Sequence, residues 1–125
     1  MYHDERRAGD AGQGRTLTAQ EAGILRVLLG PEFQGRDALA VQVENATATP
    51  IDDHGSLRFL VSDAAPAEVA RRVPVEAETE DVDGVKVHVL LHVVDGLLDE
   101  LEIFREDSGT LLREVRAESL RTLVF

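Results

Sequence analysis

The sequence predicts an α+β domain in which one N-terminal helix packs on a mainly antiparallel sheet of five or six strands. Three observations predict it. A capping box opens the one run of helical periodicity, alternating apolar residues fill most of the remaining chain, and two Val-Asp-Gly triplets divide three such alternating runs. The 125 residues suit a single domain, assigned to 16–125. Residues 1–15 are polar and Gly-rich, offer nothing to bury, and are expected to form a disordered tail.

The helix starts at Thr18-Ala19-Gln20-Glu21, where the Thr hydroxyl and the Glu carboxylate can each accept a hydrogen bond from the other's backbone amide. Ile24, Leu25, Leu28 and Leu29 follow at helical spacing, and Gly30-Pro31 ends the run. A helix this short needs a sheet to lie on. Leu39, Val41 and Val43 alternate with Ala40, Gln42 and Glu44, which predicts a strand. A turn rich in Pro50, Asp52, Asp53 and Gly55 leads to a second strand carrying Leu57, Phe59 and Val61. The stretch from Asp63 to Arg72 reads as a loop.

Val82-Asp83-Gly84 and Val94-Asp95-Gly96 then separate the runs Val73–Glu80, Val85–Val93 and Leu98–Arg105. Asp-Gly between alternating runs is a strong hairpin signal. Three-residue loops with a left-handed Gly would set Thr79, Ala77 and Val75 opposite Val87, Val89 and Leu91. On the next strand they would set Val87 opposite Ile103 and Val89 opposite Leu101. All these apolar residues then share one side of the sheet, against the helix. A short turn at Ala117-Glu118-Ser119-Leu120 and an edge strand from Arg121 to Phe125 close the chain.

Charge narrows the function classes. The formal net charge is −11, and between Glu76 and Asp107 eleven acidic residues face two basic ones, Lys86 and Arg105. A field of that sign repels phosphate backbones and anionic headgroups, so neither nucleic acid nor membrane is expected as a partner. A basic protein or a second copy of the chain suits it better. Without cysteine there is no thiol catalysis, disulfide or Cys-based zinc site, which fits a cytoplasmic protein. The N-terminus has no apolar run of signal-peptide type. Ser56, Ser62, Ser108 and Ser119 lie in no nucleophile-elbow context, and no phosphate-cradling Gly loop or dinucleotide fingerprint occurs.

The same register turns Glu76, Glu78, His88, Glu100 and Glu102 to the outer face of the sheet, with His88 between Glu78 and Glu102. This set is the candidate interaction surface. No catalytic residue, metal ligand or cofactor is assigned. The favoured function is a non-enzymatic binding module with an acidic sheet face, of which an immunity-type inhibitor that masks a basic toxin is one instance. The alternative is a small metal-dependent or acid/base enzyme using His88 with Glu78 and Glu102. Asp52, Asp53 and His54 also stand close enough to bind a cation, although the same residues are ordinary turn formers. His92, with Leu98 and Pro74 as its expected neighbours, reads as a partly exposed strand residue. Leu90 and Phe104 are apolar positions on the polar face, where they could mark a partner surface.

The order of these pieces resembles a family of small uncharacterised actinobacterial proteins. The residues that carry the resemblance are Leu17-Thr18-Ala19-Gln20-Glu21, Ala38-Leu39-Ala40-Val41-Gln42, Pro74-Val75-Glu76-Ala77, and the run from Asp95-Gly96 through Leu101-Glu102-Ile103-Phe104. It covers most of 16–105. Members often carry a Gly/Cys-rich turn where this chain has Asp52-Asp53-His54-Gly55, a departure that weakens transfer of any metal site to this position. The resemblance implies the fold and no activity.

Overall fold

Thr18 opens helix α1 (Ala19–Leu28) as its pattern predicts: its hydroxyl accepts from the Glu21 amide at 3.1 Å, and the Glu21 carboxylate accepts from the Thr18 amide at 2.9 Å. The computed structural model describes residues 14–125. The expected tail at 1–13 lies outside them. Arg15, placed at the end of that tail by its composition, instead starts a short strand, β1 (Arg15–Thr16). Its guanidinium grips both Glu21 oxygens at 2.8 and 2.7 Å, tying β1 to the helix start. Ile24, Leu25 and Leu28 point into the core, each worth about 1.5–3 kcal/mol of burial before entropy.

The segment expected as the first strand is a second helix, α2 (Arg36–Glu44), entered through Gly35 at a φ of 92°. Two-residue alternation is misleading here because a polar side chain holds a core position. Leu39 and Gln42 are buried at helical spacing, while Val41, assigned to the strand's apolar face, is exposed. Gln42 is satisfied inside: its amide nitrogen donates to the carbonyls of Ala65 (3.0 Å) and Gly96 (2.8 Å), and its oxygen accepts from the Leu98 amide (2.9 Å).

Strands β2 (Ala46–Pro50), β3 (Leu57–Val61), β4 (Val75–Glu80), β5 (Lys86–Val94), β6 (Leu97–Arg105) and β7 (Arg121–Val124) follow, with a 3-10 turn at Ala117–Ser119 before β7. The α+β class and the antiparallel sheet match the expectation, with seven strands rather than five or six and two helices rather than one among the described residues. β1 and β2 are the strands not foreseen. The spatial order is β1-β2-β3-β6-β5-β4-β7, with every neighbouring pair antiparallel.

The β4–β5 hairpin has the expected register, with Thr79, Ala77 and Val75 opposite Val87, Val89 and Leu91 and Gly84 at a φ of 87°. The β5–β6 hairpin differs. Asp95 and Gly96 form a two-residue turn, both at positive φ, so Val94 faces Leu97. A bulge beside His92 and Val93 then shifts the pairing by one residue, and Val89 faces Ile103 while Leu91 faces Leu101. A two-residue turn alone would have turned Glu102 to the core. The bulge restores the alternation by letting Asp99 and Glu100 both lie on the outer side. Leu57, Val75, Ala77, Val87, Val89, Leu91, Leu101 and Ile103 form the inner face under the two helices.

Candidate functional site

The outer face is built by strand alternation. On β4, β5 and β6 every inward side chain is buried, and Glu76, Glu78, His88, Leu90, His92, Glu100, Glu102 and Phe104 are half-buried on the opposite side. The five acidic and imidazole residues expected there do share this face. They do not form the expected triad. The bulge places Phe104, not Glu102, opposite His88; the two rings stack at 5.2 Å, and His88 Nε2 meets Glu106 at 2.9 Å. Glu102 lies 2.8 Å from Nε2 of His92 instead. His92 faces Glu100 rather than Leu98, and its Nδ1 accepts from Arg72 Nε at 3.0 Å. His92 is thus a bonded member of the face, a role its sequence context did not reveal.

Cations offset much of the acidity. Lys86 and Arg121 approach Glu78 at 3.6 and 3.5 Å, and Arg58 approaches Glu100 at 3.7 Å. Arg58 and Arg121 come from strands that alternation alone could not align with β6 and β4. Among the described residues Glu76 has no cationic partner. The result is a mixed polar face around the His88–Phe104 stack and Leu90, with a net negative balance. Among the described residues, no group of three or more His, Cys, Asp or Glu side chains is arranged to hold a metal ion.

At one end of the sheet lies a cluster that sequence reasoning missed. Arg105 follows Leu101 and Ile103 on the inward side, and its side chain is only 6% exposed. It binds Asp81 at 2.8 Å, Asp83 at 3.1 and 3.0 Å, and Asp107 at 3.0 and 2.8 Å. The contacts to Asp107 and Asp83, followed by Asp81, hold the guanidinium more firmly protonated than usual. The same guanidinium holds Asp107 down at about 2 and lowers Asp83. Burial pushes the fully enclosed Asp81 carboxyl up, but the amides of Leu112 and Val82 together with Arg105 outweigh it and the net shift is downward. This knot ties the β4–β5 turn and the end of β6 to the segment at Leu112. An Arg at an inward position, with Asp residues at both flanking turns, was its signal in the sequence.

A cleft of about 400 Å³ lies between the start of α1, the β2–β3 turn and residues 111–114, and an adjoining one of about 410 Å³ shares Glu21, His54, Gly55 and Glu114 with it. Asp52 folds the turn by accepting from the amides of His54 (2.8 Å) and Ser56 (3.2 Å). Burial pushes this carboxyl up, yet those donors bring it below its ordinary value. His54 Nδ1 stands 3.3 Å from the Ile103 carbonyl, which can only accept, so the bond requires a proton on Nδ1. Asp52 and His54 therefore serve the turn, as their composition suggests. Ser56, buried beneath it, accepts from the Ile103 amide at 2.9 Å.

No helix among the described residues is long and apolar enough to cross a membrane. No curated protein and no solved structure matches the chain. A family model described as a domain of unknown function, DUF6984, matches residues 14–115, the span from β1 through the Arg105 knot. With most of its length covered by that model, the chain belongs to the DUF6984 family of uncharacterised domains.

Proposed function

We propose that the chain is a non-catalytic cytoplasmic binding module whose outer sheet face meets a basic protein partner. The observation that carries the reading is a sheet face that no other described element covers, on which Leu90 and the His88–Phe104 stack sit inside a ring of bonded charges, with Glu76 left without a cationic partner among the described residues. Aromatic and aliphatic side chains held in place by neighbours make efficient contact area, and a polar rim sets orientation. The net charge of −11 favours a cationic partner and speeds its encounter. An inhibitor that masks a basic toxin fits this description. The test is capture of a partner from the native host, followed by calorimetric titration of the purified pair. Phe104→Ser is expected to weaken binding at least about tenfold, and Glu76→Gln to lower the salt dependence of association. Unchanged binding of every recovered partner by both variants excludes the face.

The enzymatic alternative draws support from the His88–Glu106 and His92–Glu102 contacts, which could each relay a proton. It requires a ligand that perturbs the His88 or His92 imidazole resonances. A metabolite or metal screen that shifts neither ring removes it.

A further inference from the structure

The two edges of the sheet are finished differently. At one end β2 is covered along Thr47 and Ala48 by the two residues of β1, and its remaining end carries Pro50, which has no N–H to offer. At the other end no described strand covers β7, and it presents Leu123, Val124 and the adjoining Phe125 at 45, 41 and 52% exposure. An exposed apolar strand edge is a template for another strand.

We propose that β7 pairs antiparallel with β7 of a second copy, joining two sheets across a two-fold axis. This is independent of the outer-face partner above. Backbone parity selects the register. The Phe125 amide donates to the Pro74 carbonyl at 3.3 Å, and β7 aligns Val124 with Val75 and Thr122 with Ala77. Peptide groups alternate along an antiparallel pair, so Leu123 and Arg121 also bond towards β4, and Thr122 and Val124 turn their N–H and C=O outward. Only outward groups can bond a second copy. Setting Thr122 opposite itself would match Val124 with Leu120, whose amide already donates to Ala117 at 3.2 Å. Setting Val124 opposite itself leaves Thr122 facing no residue of β7. Setting Thr122 opposite Val124 matches all the outward groups of both strands.

That register is also complementary in its side chains. Leu123 falls opposite Leu123 in a non-hydrogen-bonded pair, where side chains approach most closely. Arg121 falls opposite Phe125, a ring that already receives the Arg71 guanidinium at 5.7 Å. A two-fold axis uses the edge once, and the blunted β2 edge stops further growth. The short strand makes a small interface, and two chains of −11 repel each other, so the dimer is micromolar or weaker and tightens with salt.

Sedimentation of the full chain from about 10 µM to 1 mM tests this, since it brackets such a dissociation constant. A reversible monomer–dimer equilibrium is expected, stronger at 0.5 M than at 0.05 M salt. Thr122→Pro removes an outward N–H without touching the β4 ladder, and Leu123→Lys puts like charges opposite each other; each should weaken the dimer at least about tenfold. Amide exchange at Thr122 and Val124 should slow as concentration rises. A wild-type chain that stays monomeric throughout overturns the proposal. So does a dimer that both variants form as readily, or one that leaves those two amides unprotected.

Discussion

Replacing Gln42 tests how α2 is held to the sheet. Its side chain lies fully inside and makes three bonds: two donated, to Ala65 and Gly96, and one accepted, from the Leu98 amide. In Gln42→Leu the three backbone groups fare differently. Gly96 keeps the Ala67 amide as a donor at 2.8 Å, and Ala65 lies in an exposed stretch where water can replace the lost donor. The Leu98 amide is buried and has no substitute. Leaving one buried donor unmade costs about 1–3 kcal/mol, and the two carbonyl bonds add about 0.5–1.5 kcal/mol together, against a small gain from the apolar replacement. The net loss is about 2–3 kcal/mol. Urea unfolding followed by far-UV circular dichroism measures it. Gln42→Glu has the same shape and a different signature. Its new carboxyl can still accept from Leu98 but faces two carbonyl oxygens, which favours the protonated form and raises its folded pKa above the unfolded value. Its penalty is therefore small below about pH 4 and grows as pH rises above the unfolded pKa. A Gln42→Leu loss below about 0.5 kcal/mol, or a Gln42→Glu penalty that is flat from pH 4 to 8, refutes this account of the helix anchor.

Three further outcomes are expected. The Arg105 knot lowers the folded-state pKa values of Asp81, Asp83 and Asp107, so its stabilisation is complete above the ordinary carboxylate range and is lost as pH falls towards about 2. The stability gap between the wild type and Arg105→Met, from urea midpoints, should shrink between pH 6 and pH 2.5; a constant gap argues against the knot. Gly96→Ala should destabilise more than Gly84→Ala, because both have positive φ but a Cβ at Gly96 would sit 2.6 Å from Pro66 and 2.8 Å from the Ala67 carbonyl, whereas Gly84 has open space. Equal thermal midpoints would contradict that. Thr18→Ala should cost about 1 kcal/mol of thermal or urea stability through loss of the helix cap, and no loss would mean that the Glu21 carboxylate, held by Arg15, caps the helix start unaided.

Local signals suffice wherever one short stretch decides its own conformation. Thr18 to Glu21 specify the start of α1 because donor and acceptor lie three residues apart. Gly84 specifies a three-residue loop, and the β4–β5 register follows from it by counting. Local signals fail where the deciding contact is remote. Gln42 looks like a solvent-facing strand residue until Ala65, Gly96 and Leu98 are brought around it, and so the alternation through α2 predicts a strand. Counting along the chain pairs His88 with Glu102 because nothing near Asp95-Gly96 announces the bulge at Asp99. The bulge exists because a two-residue turn would otherwise bury Glu102, and that conflict shows only when both strands are laid against the core.

The sequence by itself determined the antiparallel α+β frame, the inner apolar face and the outward direction of Glu76, Glu78, His88, Glu100 and Glu102, since alternation and turn chemistry are properties of neighbouring residues. Tertiary structure alone decided that Arg58 and Arg121 offset those carboxylates, that His88 stacks on Phe104, and that Arg105 gathers three aspartates. Strand order, a bulge and burial bring together groups separated by tens of residues, and charge pairing acts through space rather than along the chain.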